Sequence, residues 1–282
     1  MFVTCSLALR INSRKIKDMF EVELTFSANL AVFLHRDLRA HNLVRRILAE
    51  KTAVKDVIEA CGVPHTEVDL IVASQGRRDE RHAVDLGWPV QMSVQLETFG
   101  VPAPANVLSQ APRLQVRHWS RFVADGHLGK LARNLRLLGL DTVYERDAED
   151  RQLLEIMATE NRALLTRDRR LLMHSVVRHG YCPRSAEPEE QTREVLGRFG
   201  LTCDSGHLAP YTRCLRCNAL LQSVSKSAVL DLLSGEPLTL RYYHEFRRCT
   251  GCGRIYWPGT HFGKLDSRLR RLTRCVDLLN PG

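Results

Sequence analysis

Two pairs of cysteines share one spacing: Cys214-Leu215-Arg216-Cys217 and Cys249-Thr250-Gly251-Cys252. A Cys-x-x-Cys turn sets two thiolates on one side of a tight bend. Two such turns complete a tetrahedral zinc site. Gly251 and Gly253 permit the close backbone approach that such knuckles need. Four thiolates leave no open position on the metal. The expected role is therefore structural: the Zn2+ holds together a segment with little core of its own. A redox-active pair is the competing chemistry, and two copies flanking a strand-rich segment speak against it. Cys5, Cys61, Cys182, Cys203 and Cys275 lie outside the pattern and are expected to be small buried apolar residues. His207 and His261 flank the ribbon and are not needed as ligands.

A second chemistry rests on Asp125, Asp150 and Asp168. Each follows or opens an element whose end would face one sheet edge. In an open α/β sheet that carboxyl edge is where ligands bind. Carboxylates gathered there repel one another unless a cation lies between them, and Mg2+ or Mn2+ suits oxygen ligands. Such a site can polarise a phosphodiester and activate water. Plain structural roles compete. Asp150 is also a good N-cap, and Asp168 could cap the short helix containing Leu171 and Leu172. Asp125 is the strongest candidate, since a basic helix follows it. Glu149, Glu155 and Glu160 read as a solvated helix face, and Asp141 and Asp147 as groups that could support the ligands. Residues 113–136 carry six Lys or Arg against the single acid Asp125. Lys130, Arg133 and Arg136 form a stripe that could track phosphates, or simply a solvated face.

The elements that must position these groups follow from periodicity. In residues 121–124 a short apolar strand ends at Asp125. Leu128, Leu131, Ala132, Leu135 and Leu138 then repeat at helical spacing, and Gly139 closes the helix. Residues 141–145 and 163–166 read as further strands, with helices over 150–161 and 188–199. Strands alternating with helices predict a parallel sheet. The chain before this region differs. Val22, Leu24 and Phe26 alternate with polar residues as a half-buried strand, residues 41–48 read as a short basic helix, and 52–61 as a capped helix. Strands at 68–73 and 90–97 complete a small α+β domain. Three prolines between residues 101 and 113 mark a linker.

Composition sets bounds on the rest. The chain has 282 residues, 44% hydrophobic and 26% charged, which excludes disordered and fibrous classes. Its net charge of +9 favours an anionic partner. Nine cysteines are too few for a small secreted disulfide scaffold. No apolar run approaches the ~18 residues of a membrane span. Residues 1–20 place their charges after an apolar stretch, the wrong order for a secretory signal. They read as a disordered extension or as an upstream start ahead of Met19, with a short transit peptide as the alternative. A cytoplasmic location is expected. Residues 241–282 hold nine Lys or Arg against three Asp or Glu, interleaved with Tyr242, Tyr243, Phe246, Tyr256 and Trp257. Basic groups with aromatics suit single-stranded nucleic acid, although at least half of these rings are expected to form the ribbon's own core.

The blocks RFVADGHLGKLARNLRLLGLDTVY (121–144), DRQLLEIMATENRALLTRD (150–168), RCLRCN (213–218) and CTGCGRIYWPGTH (249–261) resemble the Mut-seven C-terminal ribonuclease family. In that family a PIN-like nuclease domain is followed by a zinc ribbon. The segment AVKDVIEACGVPHTEVDLI (53–71) resembles the ubiquitin-like β-grasp domain often fused in front of it.

The resemblance implies an α+β multidomain chain: extension 1–20, β-grasp domain 21–100, linker 101–117, PIN-like domain with a parallel sheet 118–200, zinc ribbon 205–262 and basic tail 263–282. It implies a metal-dependent ribonuclease, with Asp125, Asp150 and Asp168 holding Mg2+ or Mn2+. Arg167, beside Asp168, joins Lys130, Arg133 and Arg136 as an expected RNA contact. PIN nucleases commonly supply a fourth acid soon after the third, whereas here Arg169 and Arg170 follow Asp168. A non-catalytic RNA-binding or adaptor protein is accordingly the second reading. The β-grasp segment departs from the family pattern around residues 75–88, and no terminal Gly-Gly follows it. Docking of a protein partner or positioning of RNA is its expected role.

Overall fold

The computed structural model describes residues 19–39, 43–75, 81–259 and 262–274. It divides into two units between Gln115 and Val116. The expectations for residues 1–18, for Cys5, Cys275 and His261, and for the end of the tail lie outside the described residues.

The first unit contains β1 (Phe20–Phe26), α1 (Ala28–Ala31), β2 (Leu43–Leu48), β3 (Thr52–Ala53), α2 (Val54–Glu59), β4 (Val68–Ser74), β5 (His82–Val84), β6 (Pro89–Val90) and β7 (Val94–Gly100). Five strands form a sheet in the order β2-β1-β7-β4-β5, and β3 pairs with β6. The central pair β1 and β7 is parallel, with antiparallel strands on either side. This is a β-grasp arrangement. Val22, Leu24 and Phe26 point into the core and the residues between them do not, as a strand with one buried face requires.

Two sequence expectations change here. Residues 43–48 form an edge strand, not a helix. The spacing of Leu43, Val44, Ile47 and Leu48 fits a helix, but pairing with β1 prevails, with Arg45 against Glu23 at 3.0 Å. The expected linker is tied down as far as Gln115. Asp69 accepts hydrogen bonds from the backbone N–H groups of Ala103 (3.0 Å) and Gln115 (3.3 Å). The Gln115 side chain donates to the carbonyls of His65 (3.1 Å) and Val68 (3.0 Å).

The second unit contains β8 (Arg121–Ala124), α3 (Gly129–Leu137), β9 (Asp141–Tyr144), α4 (Asp150–Glu160), β10 (Ala163–Leu165), α5 (Arg169–Leu172), β11 (Gly180–Tyr181) and α6 (Pro188–Phe199). Its sheet is parallel throughout, in the order β11-β10-β8-β9. The chain leaves β8 toward β9 on one side and returns across it to β10 on the other. The switch point lies between β8 and β10. Phe122, Val123 and Ala124 are fully buried, as expected of a central strand covered on both faces. Phe122 and Ala124 join Leu131, Leu135, Val195 and Phe199 in one core layer. Leu153 and Met157 of α4 are also buried.

The ribbon follows as β12 (Leu221–Val224), α7 (Pro237–Tyr242), β13 (Phe246–Cys249) and β14 (Ile255–Tyr256), an antiparallel sheet in chain order. Phe246 is buried in its small core, with Tyr243 and Trp257 packed against it, whereas Tyr242 is exposed. The stretch expected to be a tail forms α8 (Phe262–Arg274). Leu272 is fully buried in the core of the α/β sheet. Its apolar residues, Leu265, Leu269 and Leu272, repeat at helical spacing. The count of basic residues conceals that pattern. Among the described residues, no helix is long and apolar enough to cross a membrane.

Candidate functional site

Asp125 leaves the end of β8 at the switch point, and its backbone N–H donates to the Leu165 carbonyl at 3.0 Å. Asp125 Oδ2 accepts a hydrogen bond from Thr166 Oγ1 at 2.7 Å. The same Thr166 oxygen accepts the backbone N–H of Asp168 at 2.9 Å. One buried hydroxyl thus joins the two acids across neighbouring strand ends. Asp168 Oδ1 also accepts from the N–H groups of Arg170 (2.7 Å) and Leu171 (3.3 Å), so the expected capping of α5 is present. Asp125 is half-buried and Asp168 exposed.

Asp150 is the first residue of α4, and Glu149 occupies the N-cap position. The Glu149 N–H donates to Gln152 Oε1 at 2.9 Å. Asp150 is exposed, and no hydrogen bond or ion pair among the described residues links it to Asp125 or Asp168. The topology brings all three acids to one edge, while direct coupling joins two of them.

Two glycines that sequence reasoning left without a role shape the start of this site. A Cβ on Gly126 would lie 2.3 Å from the Arg146 carbonyl oxygen, and one on Gly129 would lie 2.6 Å from Tyr144 Oη. The segment leaving β9 crosses directly over the turn after Asp125. Tyr144 Oη donates to the Gly126 carbonyl at 2.9 Å and holds that crossing in place. The signal was in the sequence, as two glycines three apart immediately after the acid.

Lys130, Arg133 and Arg167 are exposed. Arg136 is not, and the expectation that it contacts RNA is corrected. It is 3% exposed. Its Nε donates to the Thr142 carbonyl (2.9 Å), and its Nη1 to the carbonyls of Leu215 (3.2 Å) and Arg216 (2.8 Å). A three-residue step falls short of a 3.6-residue turn by about 60°. Two such steps from Lys130 rotate the side chain away from the exposed face and beneath the first cysteine knuckle.

Asp141 is corrected as well. It pairs with Arg121 at the beginning of β9, on the sheet edge opposite the candidate site. There it anchors the knuckle. Its Oδ1 accepts from Arg162 Nη1 and Asn218 Nδ2, both at 2.7 Å, and Arg213 Nη2 lies 3.5 Å from its Oδ2. Asn218 Oδ1 accepts the Thr142 N–H at 3.0 Å, and Arg213 Nε donates to the Gly139 carbonyl at 3.1 Å. Burial alone would raise the Asp141 carboxyl. The hydrogen bonds from Arg162 and Asn218, with the charges of Arg162 and Arg213, outweigh it and hold the group below the ordinary carboxylate range.

The sulfur atoms of Cys214, Cys217, Cys249 and Cys252 lie within 4.8 Å of one another, the one such ligand group among the described residues. Cys214 and Cys252 are 3.7 Å apart, and Cys217 and Cys249 3.3 Å. Zinc–sulfur bonds of ~2.3 Å in a tetrahedron place sulfurs about 3.8 Å apart, so the donor set fits. The thiols are driven in opposite directions. Burial would raise Cys214, but the Tyr256 hydroxyl at 3.0 Å and nearby backbone N–H groups bring it down to about 6. Burial and the neighbouring thiols push Cys249 up to about 12. Metal binding requires the thiolate form, and a divalent cation among the four sulfurs stabilises it. Of the remaining cysteines, Cys61 and Cys182 are buried as expected, whereas Cys203 is exposed.

A parallel α/β domain with acids at its switch point, joined to a four-cysteine ribbon and preceded by a ubiquitin-like domain, is the class these elements define. The Mut7-C RNAse domain model matches residues 120–269, and the chain belongs to that family. The Mut7-C ubiquitin model matches residues 19–92 ahead of it. No curated protein and no solved structure matches the chain. The family's RNAse domain points to ribonuclease function.

Proposed function

We propose that the chain is a metal-dependent ribonuclease that hydrolyses RNA phosphodiesters at the carboxyl edge of the α/β sheet. The observation that carries this reading is the Thr166 hydroxyl, which bridges the Asp125 carboxylate and the Asp168 backbone at the switch point. Asp125, Asp168 and Asp150 would hold a Mg2+ or Mn2+ ion. Oxygen donors on an open, partly solvated edge suit ions that keep several of their waters. The ion, when bound, supplies a counter-charge for the phosphodiester and an acidified water. Thr166 fixes the direction in which Asp125 presents its second oxygen. Lys130, Arg133 and Arg167 hold the phosphate backbone against that edge. The four cysteines hold a structural Zn2+. The ubiquitin-like domain serves protein docking, and the chain acts in the cytoplasm.

A second reading, a non-catalytic RNA-binding or adaptor protein, is favoured by Arg169 and Arg170 in place of a fourth acid and by the lack, among the described residues, of a hydrogen bond that ties Asp150 to the other two. Incubating the zinc-loaded chain with mixed single-stranded and structured RNAs, with and without added Mn2+, separates the two. Cleavage only with Mn2+ supports the nuclease. Salt-sensitive binding with no cleavage in either condition supports the adaptor.

A further inference from the structure

Lys130 and Arg133 lie on the exposed face of α3, and no hydrogen bond or ion pair among the described residues engages either side chain. They form one wall of a groove of about 490 Å³, completed by the start of α6 and by Arg268 of α8. The opposite wall is built with some care. Asn134 Nδ2 donates to the Pro188 carbonyl (3.2 Å) and Thr192 Oγ1 (2.9 Å), which fixes where α6 begins relative to α3. Leu272 anchors α8 in the core.

Glu189 stands at the centre of that wall. Arg271 donates to both its oxygens, at 2.8 and 3.0 Å, and Arg268 and Arg193 lie at 3.9 Å. The Arg271 hydrogen bonds, aided by these charges, keep the Glu189 carboxyl below its ordinary range, so it is ionised at neutral pH. Glu190 is paired with Arg193. Two of the three acids that line the groove, Glu189 and Glu190, are paired with arginines of α6 and α8, the third, Glu187, is exposed at the N-cap of α6, and Lys130 and Arg133 on α3 carry no ion pair among the described residues. Lys130 is little more than one helical turn beyond Asp125.

We propose that this groove is the path taken by a single strand of RNA as it leaves the Asp125 edge, with Lys130, Arg133 and Arg268 holding its phosphates and Glu189 limiting how tightly they do so. The proposal rests on the ribonuclease reading. The groove has the volume of a small-ligand pocket. That admits a short length of extended strand. The cations reach it from two helices, so a flexible strand can be gripped from both sides. Glu189 withdraws part of the positive potential of Arg268 and Arg193. The same strand can thus be released after cutting.

The test is binding, read apart from cleavage. A fluorescein-labelled twelve-nucleotide oligouridylate is titrated with the full chain carrying Asp125→Asn, so that bound RNA stays intact, over a range of salt concentrations. Each phosphate contact to a single strand contributes about 0.7 to the slope of log K against log salt. Adding Lys130→Ala and Arg133→Ala should lower the slope by about 1.4 and weaken binding at least tenfold. Glu189→Gln should tighten binding several-fold, an effect a purely structural ion pair does not produce. Should that variant fail to fold, Glu190→Gln, at a more exposed position, should tighten binding in the same direction. Arg270→Ala, whose side chain pairs with Asp266 at 2.8 Å outside the groove, should leave the slope unchanged. An unaltered slope in the double variant would overturn the proposal. So would a folded Glu189→Gln or Glu190→Gln chain that binds no tighter, equal affinity for a duplex of the same length, or no binding by the Asp125→Asn chain. Mn2+-dependent cleavage by the unsubstituted chain decides the ribonuclease reading separately.

Discussion

Thr166 is the residue on which the site's geometry turns. Its hydroxyl serves two acids at once, donating to Asp125 and accepting from Asp168. Thr166→Val keeps the shape and removes both bonds. Leaving the Asp168 N–H and the Asp125 oxygen without that partner costs roughly 1–3 kcal/mol of stability. Groups that orient metal ligands from behind typically affect activity by about 10–100-fold. Thr166→Val should therefore lose activity on that scale and require more Mn2+ for half-maximal cleavage. Thr166→Ser should restore most of both, and a metal titration of the three chains checks it.

Asp141 supports a prediction of a different kind. Its folded pKa lies below the ordinary value of ~3.9, so its contribution is complete above that value and is lost as pH falls through the lower folded one. The stability gap between the unsubstituted chain and Asp141→Asn should be constant near neutrality and narrow across that acidic window. Denaturant melts at several pH values measure it. A gap that widened toward acid would contradict the arrangement.

At the scale of elements, the knuckle and the sheet form one structure. Arg136 on α3 donates to the carbonyls of Leu215 and Arg216, the two residues between the first pair of cysteines. Asn218, just after the knuckle, and Arg213, just before it, bind the start of β9. Arg136→Met leaves three carbonyls without their donor and should cost on the order of 3 kcal/mol. It should also speed zinc loss to a chromogenic chelator while leaving the salt dependence of RNA binding unchanged. That last outcome separates Arg136 from Lys130 and Arg133, which it resembles in sequence. Removal of zinc should expose β9 and the end of α3 to hydrogen exchange as well as the ribbon itself. Protection that was lost in the ribbon alone would show that the two elements fold independently.

The same elements mark how far sequence reading reaches. The α3 repeat, the apolar strand before Asp125 and the paired cysteines were legible because period and spacing alone specify them. The edge strand β2 reads as a helix because four apolar residues in six fit two periods, and only its partner β1 decides between them. Arg136 reads as a phosphate contact because its role depends on what covers it, and the knuckle that does so lies far along the chain. Helix α8 was hidden by its charge: a count of basic residues says nothing of the leucines spaced between them. Asp141 sits at the wrong end of its strand for catalysis. Strand direction reveals that, and composition does not.

At the scale of the whole molecule, the positive charge is unevenly used. Several arginines that sequence counting would assign to nucleic acid are engaged by the protein's own groups: Arg136 by the knuckle, Arg162 by Asp141 and Glu160, and Arg271 by Glu189. The cations that remain on α3 lie close to the acidic edge, and the groove beside them gives a polyanion a place to run. RNA cleavage at this edge is what the proposed function requires. Its most direct test is the rate of cleavage of a single-stranded RNA as Mn2+ is raised, for the zinc-loaded chain and for Asp125→Asn side by side. Cleavage should depend on the metal and be abolished by Asp125→Asn, with RNA binding retained. Equal cleavage by the two chains, or none by either while RNA stays bound, would contradict that function.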